Sequence, residues 1–193
     1  HLVFFSSVKS LSPKRGDWFF GIMDWMPNID CVQYFARDIF PSITEQYEGA
    51  RFRIIGRNPT QAVKRLADNC RQIEVTGTVE DVRPHLDDCE VLVVPLRSGG
   101  GTRIKIFEAM AQGVPVVSTT IGAEGLPVIH GKTIIIADTP GSFADAVLEM
   151  LGSPEKGEAI ALNSRWKLVE EHSWASVASI FVTLCEKVIP ATN

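Results

Sequence analysis

The chain has 193 residues, 45% hydrophobic and 22% charged, which excludes a disordered or membrane-embedded protein and allows one domain whose core needs no staples. Nineteen Lys and Arg against 23 Asp and Glu leave a net charge of −4 without a basic tract, so no nucleic-acid partner is expected. Cys31, Cys70, Cys89 and Cys185 form no C-x-x-C pair and argue for reduced thiols and no metal, and no apolar run approaches the roughly 20 residues of a transmembrane segment.

In chain order, the opening five residues are too short for a signal peptide, and the Ser/Lys/Pro/Arg/Gly stretch at 6–16 reads as a linker. Residues 1–16 are therefore assigned to a connecting segment and 17–193 to the domain. Strands are predicted at 18–22, 52–55, 73–76, 91–95, 114–118 and 133–136, several apolar at successive positions as befits strands covered on both faces. Helices are predicted at 30–47, 60–68, 82–88, 102–112 and 142–151, followed by two closing helices at 154–171 and 173–188, with Ser153 and Ser173 as N-caps. This alternation predicts a doubly wound, Rossmann-like α/β fold: an open parallel sheet of about six strands, helices on both faces, and extra C-terminal helices.

The most informative segment runs from Val91 to Thr119. A strand ending at Pro95 leads through Gly99, Gly100 and Gly101 into a helix beginning near Thr102. At the carboxyl edge of a parallel sheet, a helix N-terminus offers unpaired N–H groups and partial positive charge, and glycines let the backbone approach an anion. Arg103 and Lys105 add cations in the first turn, where they oppose the helix dipole unless an anion is bound. That pattern fits a diphosphate; a loop with two solvated basic residues fits it too. A Walker lysine and a Gly-x-Gly-x-x-Gly are both missing, which disfavours ATPase and dinucleotide readings. Glu108 stands among Ile104, Ile106, Phe107, Ala109 and Met110, and needs a partner. Ribose hydroxyls or an ion pair with Lys105 or Arg103 would serve, and spacing slightly favours the ion pair.

The run Gly-Thr-Arg-Ile-Lys-Ile-Phe-Glu-Ala-Met-Ala-Gln-Gly-Val-Pro-Val-Val-Ser-Thr-Thr, followed by Gly-Ala-Glu-Gly-Leu at 122–126, resembles the donor-binding half of retaining GT-B glycosyltransferases of the group 1 kind. The likeness extends from Gly21 to about Leu151, through Gly-Ile-Met-Asp-Trp-Met-Pro-Asn, Ile-Ile-Gly-Arg-Asn-Pro and Val-Thr-Gly-Thr-Val-Glu-Asp-Val-Arg. It implies that Glu108 holds the ribose of a sugar nucleotide. The family often carries a second Glu eight positions earlier, where this chain has Gly100, so the amides of Gly100 to Thr102 are expected to replace that carboxylate. Relatives also place an Arg and a Lys after the first strand. Their absence here throws the neutralisation of the diphosphate leaving group onto Arg103 and Lys105.

Further donor contacts are expected from Asn28, though an N-cap role is preferred for it, and from a base pocket near Gly56, Arg57 and Asn58 and near Gly77, Thr78 and Val79. Arg57 is either a stacking or phosphate group or a surface residue. Gly122 and Glu124 should face the same crevice, unless Glu124 caps the next segment. His85, His130 and His172 read as surface or capping residues, and no catalytic residue is assigned beyond the leaving-group cations.

The expected function is transfer of a sugar from a nucleotide-diphospho-sugar to an acceptor hydroxyl in glycan or polysaccharide biosynthesis. It requires no cofactor and takes place in the cytoplasm, or peripherally at the inner face of the membrane. The expected partners are the donor and an N-terminal acceptor domain beyond these residues, with self-association through the face that domain would cover, the chain alone being an inactive fragment. Two rivals remain at this stage: a non-enzymatic nucleotide-binding or scaffold module, and a sugar-nucleotide epimerase of the same architecture.

Overall fold

The computed structural model describes residues 17–172 together with Ala178 and Val182. The linker at 1–16 and, apart from Ala178 and Val182, the closing helix at 173–188 lie outside the described residues. Among the described residues, six parallel strands, β1 (Asp17–Phe20), β2 (Phe52–Ile55), β3 (Ile73–Gly77), β4 (Val91–Val94), β5 (Val116–Ser118) and β6 (Ile135–Ile136), form one sheet in the order β3-β2-β1-β4-β5-β6. The sheet grows outward from β1 in one direction and from β4 in the other. Right-handed crossovers then place the helices of the two halves on opposite faces.

Among the described residues, seven α-helices accompany the strands: α1 (Met26–Tyr34), α2 (Phe40–Gln46), α3 (Gln61–Asn69), α4 (Arg83–Asp87), α5 (Ile104–Ala111), α6 (Pro140–Gly152) and α7 (Pro154–His172). α6 packs against α2, and α7 packs against α5. All four residues of β4 are buried, which explains its unbroken Val-Leu-Val-Val run. Phe35 anchors the core beside β2, its ring centroid 4.5 Å from that of Phe52 and 6.0 Å from that of Phe143. Such tilted and edge-on pairs add about 0.5–1.5 kcal/mol each to their burial.

Several boundaries differ from those predicted. The single helix expected at 30–47 starts earlier, at Met26, where Pro27 fits the first turn, and is interrupted by a π-helical stretch at Phe35–Ile39. Pro41 explains the interruption, because its ring excludes the carbonyl one turn back and it donates no hydrogen bond; the Phe40 amide reaches instead to Phe35 O. α6 begins at a reciprocal Thr139–Ser142 capping box, two residues before its predicted start. α5 begins at Ile104 instead of Thr102, with consequences for the site.

Candidate functional site

The strand order reverses between β1 and β4, and the loops that leave their carboxyl ends part there. Gly21, Ile22, Trp25, Pro27 and Asn28 form one wall, and Leu96 and the segment from Gly100 to Lys105 form the other, with Glu108 behind it. The crevice between them has a volume of about 410 Å³, within the range of ligand sites. Two other concavities among the described residues hold only about 10 and 80 Å³.

The glycine loop is shaped by left-handed backbone: φ is 108° at Gly99, 113° at Gly101 and 49° at Arg103, the N-cap of α5. Glycine adopts such angles freely, whereas arginine there carries strain and must be held. Arg103 is 9% exposed and folds back into the loop. Its guanidinium donates to Gly99 O at 2.7 Å, Gly100 O at 3.2 Å and Ile121 O at 2.8 Å. Gly99 packs so closely on the β1–α1 loop that a Cβ on it would lie 3.0 Å from Pro27. Among the described residues, the amides of Gly99 to Thr102 make no hydrogen bond within the protein. With the Gly99 and Gly100 carbonyls turned to Arg103, the amides of Gly100 to Thr102, which line the crevice, are available to an acceptor there.

This geometry corrects the expectation that Arg103 stands in the helical first turn as a free cation. Its side chain braces the loop while still lining the crevice beside Lys105, its buried Nε hydrogen-bonded to nothing among the described residues. The Lys105 ammonium lies 3.8 Å from the centroid of the Phe19 ring and donates to Asn28 Oδ1 at 2.9 Å. Burial pulls its pKa down to about 8, and the Arg103 charge acts in the same direction.

Asn28 is buried but does not cap α1. The N-cap is Trp25, and no side chain closes that end. The preferred capping role is therefore corrected: Asn28 Nδ2 donates to Ile22 O at 3.0 Å while its oxygen accepts from Lys105. Glu108 is half-buried, one turn beyond Lys105, and forms no ion pair within 4 Å among the described residues. The ion pair that spacing slightly favoured is not made. Desolvation raises the Glu108 pKa, Asp81 adds to the effect, and the Lys105 charge opposes it. The result is an acceptor at the crevice that has no ion-pair partner among the described residues.

The remaining residues named from sequence fall elsewhere. Gly56 secures the close approach of the loops after β1 and β2, since a Cβ there would lie 1.8 Å from Gly21 O. Arg57 is exposed; its carbonyl accepts from the Met23 amide at 2.9 Å. Asn58, with φ at 56°, donates to Asp24 at 3.0 Å. Gly77 takes φ of 78° at the end of β3, Thr78 beyond it is exposed, and Val79 is packed against the core. None of these lines the crevice between β1 and β4. Gly122 is buried where a Cβ would meet Ser118 Oγ at 2.3 Å and Val94 O at 2.6 Å, and its amide donates to Thr119 Oγ1. It locks the loops after β4 and β5 together, and Glu124 is exposed beyond it. Among the described residues, no group of three His, Cys, Asp or Glu could hold a metal, and no helix is long and apolar enough to cross a membrane.

Ile22, Trp25, Pro27, Leu96 and Ile104 belong to the crevice and were not singled out from sequence. Trp25 and Ile104 are 56% and 59% exposed. Pro27 carried a signal in retrospect: a proline directly before Asn28, in the loop lacking the expected Arg and Lys, fixes where α1 begins and what the glycine loop rests on.

A profile of the family described as "Glycosyl transferases group 1" matches residues 18–153. The chain is 29% identical over 153 residues to the GDP-mannose-dependent alpha-(1-6)-phosphatidylinositol monomannoside mannosyltransferase of Mycobacterium tuberculosis, a match covering 72% of this chain and 40% of that protein. Thus the chain spans well under half of that relative's length. Among solved structures, Staphylococcus aureus TarM, in complex with fondaparinux, alpha-GlcNAc-glycerol and UDP, superposes with a TM-score of 0.76 at 17% identity, over 93% of this chain and 37% of that one. The C-terminal domain of the group 1 family protein LpcC of Francisella tularensis gives 0.69 at 15% identity, over 84% and 88%. At these identities the structures establish a shared fold.

Proposed function

The chain belongs to the group 1 glycosyl transferases, and from that premise we propose that its crevice binds the nucleotide-diphospho-sugar donor of a transferase acting in glycan biosynthesis. The observation that carries this reading is the convergence, at the point where the strand order reverses, of loop amides, the Lys105 ammonium and a carboxylate that has no ion-pair partner among the described residues. The amides of Gly100 to Thr102 and the Lys105 ammonium face the diphosphate, while Glu108 accepts from the ribose hydroxyls. That the mannosyltransferase relative is GDP-mannose-dependent and TarM was crystallised with UDP supports the ligand class without choosing the base.

In the chemical step, the bond between the anomeric carbon and the diphosphate oxygen breaks as the acceptor oxygen bonds to that carbon and loses its proton. The nucleoside diphosphate leaves with the electron pair. Donors already aimed at the developing charge lower the barrier without reorganising. Arg103 contributes indirectly, by fixing the loop that presents the amides. The acceptor and its proton-accepting group are assigned to a further domain across the crevice, because transfer needs both reactants held in contact.

Titration calorimetry with UDP and GDP, against uridine and guanosine, tests the reading. The diphosphates should bind and the nucleosides should bind far more weakly. Equal binding of nucleoside and diphosphate would refute the assignment of the loop.

A further inference from the structure

The cradle around Lys105 supports an inference that rests on this diphosphate reading and deepens it. Three chain segments converge on one ammonium: Phe19 of β1 lies beneath it, Asn28 of α1 accepts from it, and α5 carries it. The amide of Asn28 cannot rotate freely, because Nδ2 is bonded to Ile22 O at 3.0 Å. Gly21 leaves room for the arrangement. A Cβ there would lie 2.8 Å from Asn28 Nδ2 and 3.1 Å from Lys105 Nζ. No carboxylate lies within 4 Å of the ammonium among the described residues.

A buried ammonium could be steadied by a carboxylate, which would cancel the charge, or by a neutral amide oxygen, which accepts the hydrogen bond and leaves the charge in place. The chain uses the second solution. We propose that Asn28 is the positioning residue for diphosphate recognition: its amide holds the Lys105 ammonium at the floor of the crevice without neutralising it, so that the ligand supplies the counter-charge.

A consequence is proton linkage. The neutral acceptor offsets only part of the cost of burial, whereas a bound diphosphate favours the charged lysine, so binding draws in a proton wherever the free chain has lost one. With the free lysine titrating at about 8, affinity should fall about tenfold for each pH unit above that point. The other groups facing the ammonium are the Cys31 thiol from α1, raised by burial to about 12, and Arg103 and Glu108 from α5 and its cap.

The test is the affinity of the 193-residue chain for UDP and GDP between about pH 7 and about pH 10, above the second phosphate ionisation near 6. Wild type should show a midpoint near 8. Asn28→Ala removes an acceptor from the charged form and should weaken binding while moving the midpoint down. Asn28→Asp should also weaken binding, by competing with the ligand, but should move the midpoint up. Loss of folding would not produce opposite displacements. Lys105→Met, similar in length and uncharged, should give a flat profile about as weak as wild type at the alkaline end. Glu108→Gln removes a charge that raises the lysine's pKa only weakly, so it should keep the pH dependence and move the midpoint down slightly. A flat wild-type profile, wild-type behaviour in both Asn28 variants, tight binding by Lys105→Met, or a profile flattened by Glu108→Gln would each overturn the inference while leaving the donor site standing. If wild type binds neither diphosphate, the donor-site reading and the inference fall together.

Discussion

Arg103→Ala distinguishes a brace from a ligand. The guanidinium makes hydrogen bonds to Gly99 O, Gly100 O and Ile121 O from a side chain that is almost wholly enclosed. Bonds from a charged donor contribute about 1.5–3 kcal/mol each where water is excluded. Gly100 and Ile121 are exposed, however, so their carbonyls regain water when the arginine is lost. The net cost should be about 2–3 kcal/mol in total, which for a chain of this size lowers Tm by about 4–12 °C. Arg103→Gly should cost up to about 1 kcal/mol less than Arg103→Ala, because φ is 49° at this position. Thermal unfolding followed by circular dichroism, with UDP and GDP titrations of the same samples, gives both quantities. If Arg103→Ala keeps the wild-type Tm yet loses diphosphate binding, the guanidinium is itself the ligand group, and the account of the loop is wrong.

Glu108→Gln should raise Tm slightly, since burial raises the carboxyl's pKa and its charged form opposes folding at neutral pH. The same variant should lose more affinity for UDP than for 2′,3′-dideoxy-UDP, and equal losses would remove Glu108 from the ribose. Lys105 has the opposite charge but a related sign: its pKa is depressed on folding, so the stability of the ligand-free chain should gain a contribution as pH rises from about 8 toward the unfolded value of 10.5. Denaturant titrations across that window should show the gain in wild type and not in Lys105→Met. Gly100→Ala should leave Tm unchanged, because nothing lies within 4 Å of the added methyl, while weakening diphosphate binding; Gly56→Ala should destabilise by about 3 kcal/mol or more, its Cβ falling 1.8 Å from Gly21 O. Comparable Tm losses in the two variants would contradict the distinct roles given to these glycines.

The strands and their crossovers were legible because each is marked locally, by runs such as Val91 to Val94 bounded by helical periodicity. The interruption at Phe35–Ile39 was not read, although Pro41 announced it, because the apolar pattern continues through the widened turn. The glycine loop stood out from its own pattern, whereas Glu108 became a ribose candidate only through the family resemblance, spacing alone having slightly favoured an ion pair. What Arg103 and Asn28 do was hidden for a different reason. The first depends on a left-handed backbone angle at a residue that rarely adopts one. The second depends on contact with Lys105 across 77 positions of sequence, which only the convergence of β1, α1 and α5 creates. Periodicity locates elements and cannot register such contacts.

The most direct measurement of the central claim is amide chemical-shift mapping of the ¹⁵N-labelled chain during addition of UDP and GDP. The account predicts that the largest changes fall on the amides of Gly100 to Thr102 and on the Asn28 side-chain NH₂, with uridine and guanosine leaving the glycine loop unmoved. Changes centred elsewhere on the chain, with the loop amides unaffected by either diphosphate, would contradict it.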